Sequence, residues 1–116
     1  MEFDGGIPIY RQIADSIKIK IISGVFERGG KIPSVRELAL EYGVNPNTAQ
    51  RALAELEREN LLYAERTNGR FVTDDAKAIK AAKVEMLFAE IDKFLSRMKS
   101  MGYSGGELID ALRRFI

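Results

Sequence analysis

The sequence predicts a mainly α-helical chain with one small β-hairpin, divided into an N-terminal domain and a two-helix C-terminal tail. Three observations lead there. Apolar residues recur with a helical period in three separate stretches before residue 60. Thr67-Asn68-Gly69 then sits between two short runs that read as strands. Finally, an apolar seam with heptad spacing runs from Val84 to Met101.

Pro8 opens the first helix, in whose first turn its missing N–H is no loss. Tyr10, Ile13, Ala14, Ile17 and Ile21 form one face, and Gly24 suits the left-handed position after the last turn. The stretch from Val25 to Pro33, with Gly29 and Gly30, reads as a loop. Ser34 and Glu37 have capping-box spacing and start a short helix whose face is Val35, Leu38, Ala39 and Tyr42. Gly43 ends it. Asn45 is a good N-cap and Pro46 a good first residue for a third helix, with Ala49, Ala52, Leu53 and Leu56 as its buried stripe and Asn60 as its close.

Residues 61–66 and 70–73 flank Thr67-Asn68-Gly69, and Asn-Gly is a strong hairpin signal because both residues tolerate positive φ. The order helix, short helix, tight turn, helix, hairpin is that of a winged helix-turn-helix, assigned to residues 8–73. The tail, 74–116, begins at a cap from Asp74 or Asp75. Val84, Leu87, Ile91, Phe94, Met98 and Met101 then alternate spacings of three and four. Gly102 breaks this helix, and Ser104 with Glu107 caps a last one expected to bury Leu108, Ile109, Leu112 and Phe115 or Ile116.

Composition removes several kinds of chemistry. The 116 residues contain no Cys and no His, so there is no thiol nucleophile, no imidazole base, no disulfide and no ordinary zinc site. An enzyme would have to rely on carboxylates such as Glu55, Glu57 and Glu59, which read as a solvated helix face. No cofactor is expected. No apolar run approaches a membrane span and MEFDGGIPIY lacks a signal pattern, so a cytoplasmic location without a membrane partner is expected. Net charge is only +1, with acidic residues in excess over 1–75 and basic ones over 76–116. A polyanion would have to be gripped by placed residues rather than by bulk charge.

The helix-turn-helix offers such residues. Asn47, Thr48, Gln50 and Arg51 fall on the face of the third helix that packing does not use, and short or forked polar groups there suit base edges in the DNA major groove. Arg36 supplies a guanidinium fork for guanine or phosphate. Ser34 and Asn45 serve first as caps, and the free N–H groups at the helix starts they define can meet phosphate. Asn68, Gly69 and Arg70 at the hairpin tip could enter the minor groove. Singly, each has a plain reading as cap, turn or solvated surface; their order and spacing give them weight.

Those same residues carry a resemblance. Pro8-Ile9-Tyr10-Arg11-Gln12-Ile13, Lys31-Ile32-Pro33-Ser34-Val35-Arg36-Glu37-Leu38-Ala39, Gly43-Val44-Asn45-Pro46-Asn47-Thr48 and Leu56-Glu57-Arg58-Glu59-Asn60-Leu61 are similar to the N-terminal domain of GntR-family bacterial transcription regulators. The short remainder resembles the small YtrA-type subfamily, whose two C-terminal helices mediate dimerisation. The resemblance implies DNA contacts by Arg36, Asn47, Thr48 and Gln50, and Lys31 of the same motif joins the expected set. Two departures stand out: Arg28-Gly29 replaces the family's Pro-Gly, and Gly69-Arg70 replaces its longer wing tip.

The seam calls for a partner. Val84, Leu87, Ile91, Phe94 and Met98, widened by Met86, Phe88 and Leu95, exceed what one short helix carrying Leu108 and Leu112 can cover, which points to a homodimer. The expected function is a homodimeric, sequence-specific transcription regulator, a repressor, on a pseudo-palindromic double-stranded DNA operator. The alternative is a winged-helix protein-interaction module that binds no DNA. The resemblance also allows a small-molecule effector, with Met86, Phe88, Phe94 and Tyr103 as candidate contacts.

Overall fold

A computed structural model describes residues 1–116. It contains two compact units, Met1–Ala82 and Lys83–Ile116.

The first unit holds α1 (Ile9–Ile22), α2 (Val35–Tyr42), α3 (Pro46–Arg58), strands β1 (Leu62–Glu65) and β2 (Gly69–Val72), and the start of α4 (Ala76–Ser100). Pro8 lies just outside α1 in an extended conformation, where its carbonyl accepts from the Arg11 and Gln12 N–H groups. The apolar faces read from periodicity converge: Ile13 and Ile17 of α1, Leu38 of α2, Leu53 and Leu56 of α3, and Leu61 and Val72 are sealed from solvent. Removing one such side chain to alanine costs about 2–5 kcal/mol, so this cluster sets the angle between α2 and α3. Ile79 and Ala82 of α4 pack on the same core, so compact packing continues past the expected break at 73.

Both helices of the turn have complete ends. Ser34 Oγ accepts from the Glu37 N–H (3.1 Å) while Glu37 Oε1 accepts from the Ser34 N–H (3.2 Å), the reciprocal box its spacing predicts. After α2, Gly43 takes φ 67°, which lets its own N–H reach Leu40 and the Val44 N–H reach Ala39. Asn45 Oδ1 then accepts from the Asn47 N–H at 2.8 Å. Asn60 closes α3 in the same way at φ 63°, a left-handed position that Asn tolerates better than other side chains.

The hairpin is antiparallel with Leu62 opposite Val72 and Glu65 opposite Gly69. Its connection is Arg66-Thr67-Asn68: the Asn68 N–H bonds to the Glu65 carbonyl and Gly69 alone takes positive φ (95°). This is a three-residue loop closed by a left-handed glycine, and it lies one residue earlier than the expected Thr67-Asn68-Gly69 connection, because Gly69 pairs with Glu65 and belongs to β2. The loop before α2 also differs from expectation at its end. Lys31 bridges Phe71, the Ile32 N–H donates to the Arg70 carbonyl, and the Val72 N–H donates to the Gly30 carbonyl. The free edge of β2 offers unpaired backbone groups, and this segment satisfies them.

The second unit consists of the rest of α4 and α5 (Gly105–Leu112). At the far end of α4, Asp75 caps its start through the Lys77 N–H (3.0 Å). It stops where the Gly102 N–H turns back to Lys99 and the Tyr103 N–H to Met98. Ser104 and Glu107 form a second reciprocal box. Of the residues expected to be buried on α5, only Leu108 is. Ile109, Leu112, Phe115 and Ile116 are exposed, because an eight-residue helix covers its neighbour with one stripe only.

Candidate nucleic-acid interface

The amphipathic pattern of α3 divides its side chains cleanly. Ala49, Ala52, Leu53 and Leu56 turn inward, while Asn45, Asn47, Gln50 and Arg51 are exposed and Thr48 is half-exposed. Arg36 is exposed on the first turn of α2, beside Ser34. The ion pairs of the chain engage Lys18, Lys20, Arg58, Arg70, Lys93 and Arg113, whereas Lys31, Arg36 and Arg51 form none, Lys31 lying only near enough to Glu37 to help keep its carboxyl ionised. An uncompensated cation on an exposed helix start can form charge-assisted bonds to phosphate or a guanine edge.

Lys31 lies beside the wing. A Cβ added at Gly69 would meet Lys31 Cε at 3.2 Å, so this basic side chain and the wing tip share one locality. Asn68, exposed at the tip, donates to Glu65 Oε2 at 3.2 Å. Arg70 is placed differently from the sequence expectation. Its Nε donates to Glu57 Oε1 on α3, and its side chain is part-buried against that helix instead of extending beyond the tip.

Two contributors were invisible in the one-dimensional pattern. Glu57 reads as solvated surface and Tyr10 as an ordinary core position, yet Glu57 holds Arg70 and the Tyr10 ring lies 4.0 Å from the Arg51 guanidinium carbon. Tyr10 and Arg51 also border an open groove of about 350 Å³ with Pro8, Ile9, Asn47 and Thr48. The carboxyl of Glu37 is held below the usual Glu range, chiefly by the Ser34 backbone N–H and then by its hydroxyl, so the cap beneath Arg36 is ionised at neutral pH.

In the second unit, Phe94 and Tyr103 line a mainly apolar cavity of about 440 Å³ with Met98, Met101, Leu108 and Leu112, whereas Met86 and Phe88 lie outside it. No three His, Cys, Asp or Glu side chains cluster as a metal would need, and no helix is long and apolar enough to cross a membrane.

Two short helices joined by a tight turn, the second with an exposed polar start, and a following hairpin define a winged helix-turn-helix transcription regulator. The chain belongs to the bacterial regulatory proteins of the gntR family, whose profile matches residues 9–72. It is 35% identical to the HTH-type transcriptional repressor YtrA of Bacillus subtilis over 87% of this chain and 76% of that protein. A GntR family transcriptional regulator from Listeria monocytogenes superimposes with a TM-score of 0.88 at 37% identity, covering 97% of this chain and 98% of that one. The DNA-binding domain of AraR, solved in complex with operator ORX1, matches 62% of this chain and 93% of its own length (TM-score 0.59, 31% identity). Members of this family regulate transcription and are not enzymes.

Proposed function

We propose that the protein is a cytoplasmic, homodimeric repressor that reads a pseudo-palindromic operator by inserting α3, from Asn45 onward, into the major groove. The observation that carries this reading is the exposed row Asn47, Thr48, Gln50 and Arg51 on a helix whose opposite face is fully packed, next to an uncompensated Arg36. Asn and Gln suit adenine, and the Arg36 fork suits guanine. Lys31, Ser34, Asn45 and the wing residues Asn68 and Gly69 contribute backbone contacts. Arg70 contributes by bracing the wing. The operator-bound AraR domain and the repressor YtrA support the assignment by likeness.

The dimer rests on the tail. Val84, Leu87, Phe88, Ile91 and Phe94 are 40–63% exposed in the single chain. At ~25 cal/mol per Å2, leaving such a stripe in water costs several kcal/mol, which a two-fold partner removes. The seam of Val84, Leu87, Ile91, Phe94 and Met98, with Leu112 of α5, forms that interface; Leu108, expected from the sequence to join it, is already buried within the single chain and supports the seam from behind.

Selection of duplexes from a random-sequence library by the purified protein, followed by gel shift at two salt concentrations, tests the reading. Enrichment of an inverted repeat bound near ~10−8 M with salt-sensitive affinity is expected. Failure to enrich any sequence, together with capture of a protein partner, would support the interaction-module alternative that the near-neutral charge allows.

A further inference from the structure

Two arginines at the candidate interface are held in place by different means. Arg70 is tied to a carboxylate, which compensates its charge. Arg51 has no carboxylate partner and instead lies over the Tyr10 ring, 4.0 Å from its centroid. An aromatic face attracts a cation without neutralising it. The ring is itself anchored: it packs against the hydrophobic core, and its hydroxyl accepts from Arg11 Nε at 3.4 Å. An unrestrained Arg gives up much rotamer freedom when it binds, and a planar guanidinium stacked in advance gives up less.

We propose that Tyr10 is a positioning residue for DNA recognition, fixing the Arg51 guanidinium beside Asn47 and Thr48 while leaving its positive charge free for the nucleic acid. This rests on the DNA-reading assignment above. It adds to that assignment a residue of α1, which lies outside the helix-turn-helix, as part of the recognition apparatus.

The test is a thermodynamic cycle measured on the duplex that the wild-type protein enriches from a random library. Tyr10→Leu and Tyr10→Met remove the ring, Tyr10→Phe keeps it, and each is measured with Arg51 present and with Arg51→Ala. With Arg51 present, loss of the ring is expected to weaken binding about two- to fivefold for each copy of the domain on the DNA, and Tyr10→Phe to restore the affinity. In the Arg51→Ala background the same ring removal should have no further effect, an outcome that a purely structural Tyr10 would not produce. Equal weakening in both backgrounds, or unchanged or tighter binding on ring removal, overturns the proposal. If neither ringless variant folds, Tyr10→Trp decides: its larger ring face should hold or tighten binding when Arg51 is present and change nothing in the Arg51→Ala background, and an equal change in both backgrounds overturns the proposal. A wild-type protein that enriches no duplex removes the DNA-reading assignment itself, and the proposal with it.

Discussion

The Arg70 guanidinium is bonded to the carboxylate of Glu57, joining the second strand of the wing to the helix that precedes it. The contact is part-buried and spans the connection through β1, so the wing is braced by a side-chain pair as well as by its backbone ladder. A cation committed in this way has less to offer a phosphate than its position near the tip suggests.

Glu57→Gln should therefore tighten DNA binding and steepen its salt dependence, since it removes a negative charge from α3 and releases Arg70. Arg70→Ala should cost about 0.5–1 kcal/mol of stability, with no change at any single base pair. Affinity measured across a salt series, with urea unfolding alongside, separates the two. A loss of specificity at one position in Arg70→Ala would place that side chain in the groove after all.

Arg36 is the opposite case, exposed and free of any carboxylate. Arg36→Ala is expected to lose about 1–3 kcal/mol of binding free energy and to relax preference at one base pair in each half-site. Binding to a panel of single-base operator variants measures this. Uniform weakening across the panel would assign Arg36 to phosphate instead.

The exposed seam makes a prediction about assembly. Ile91→Asp should convert a dimer into a folded monomer, because a charge at the centre of the stripe cannot be buried unpaired. Sedimentation velocity reads the mass, and circular dichroism checks that α1–α3 persist. A wild-type protein that sediments as a monomer at tens of micromolar would contradict the dimer.

Asn60 closes α3 at φ 63°. Asn60→Val should destabilise the fold by about 1–2 kcal/mol, while Asn60→Gly should be neutral or stabilising. Midpoints of urea unfolding decide between these outcomes.

The depressed Glu37 carboxyl has a pH consequence of definite sign. A carboxyl whose folded value lies below its unfolded one contributes stability in full above the ordinary Glu range, about 4.3, and loses it as pH falls through the folded value. Wild-type Tm should fall more steeply than that of Glu37→Gln between about pH 5 and 3. Parallel curves would show that the cap does not depend on ionisation.

What the sequence settled by itself is whatever depends on neighbours a few residues apart. The helical periods of α1–α3, the two capping boxes, the closures at Gly43 and Asn60 and the exposed face from Asn47 to Arg51 follow from spacing, because helix geometry is set within one or two turns. Even there, Asn68-Gly69 indicated a hairpin without specifying its turn, since loop length depends on the register of the strands. Tertiary structure alone decided which partners the cationic side chains meet. Tyr10 reaches Arg51 only because α1 packs across α3, and Glu57 reaches Arg70 only because the wing folds back on that helix. Such pairings depend on packing angles, and no local rule of the chain encodes those. The same limit explains α5, where the apolar stripe was legible but how much of it one chain could cover depended on the surface it met.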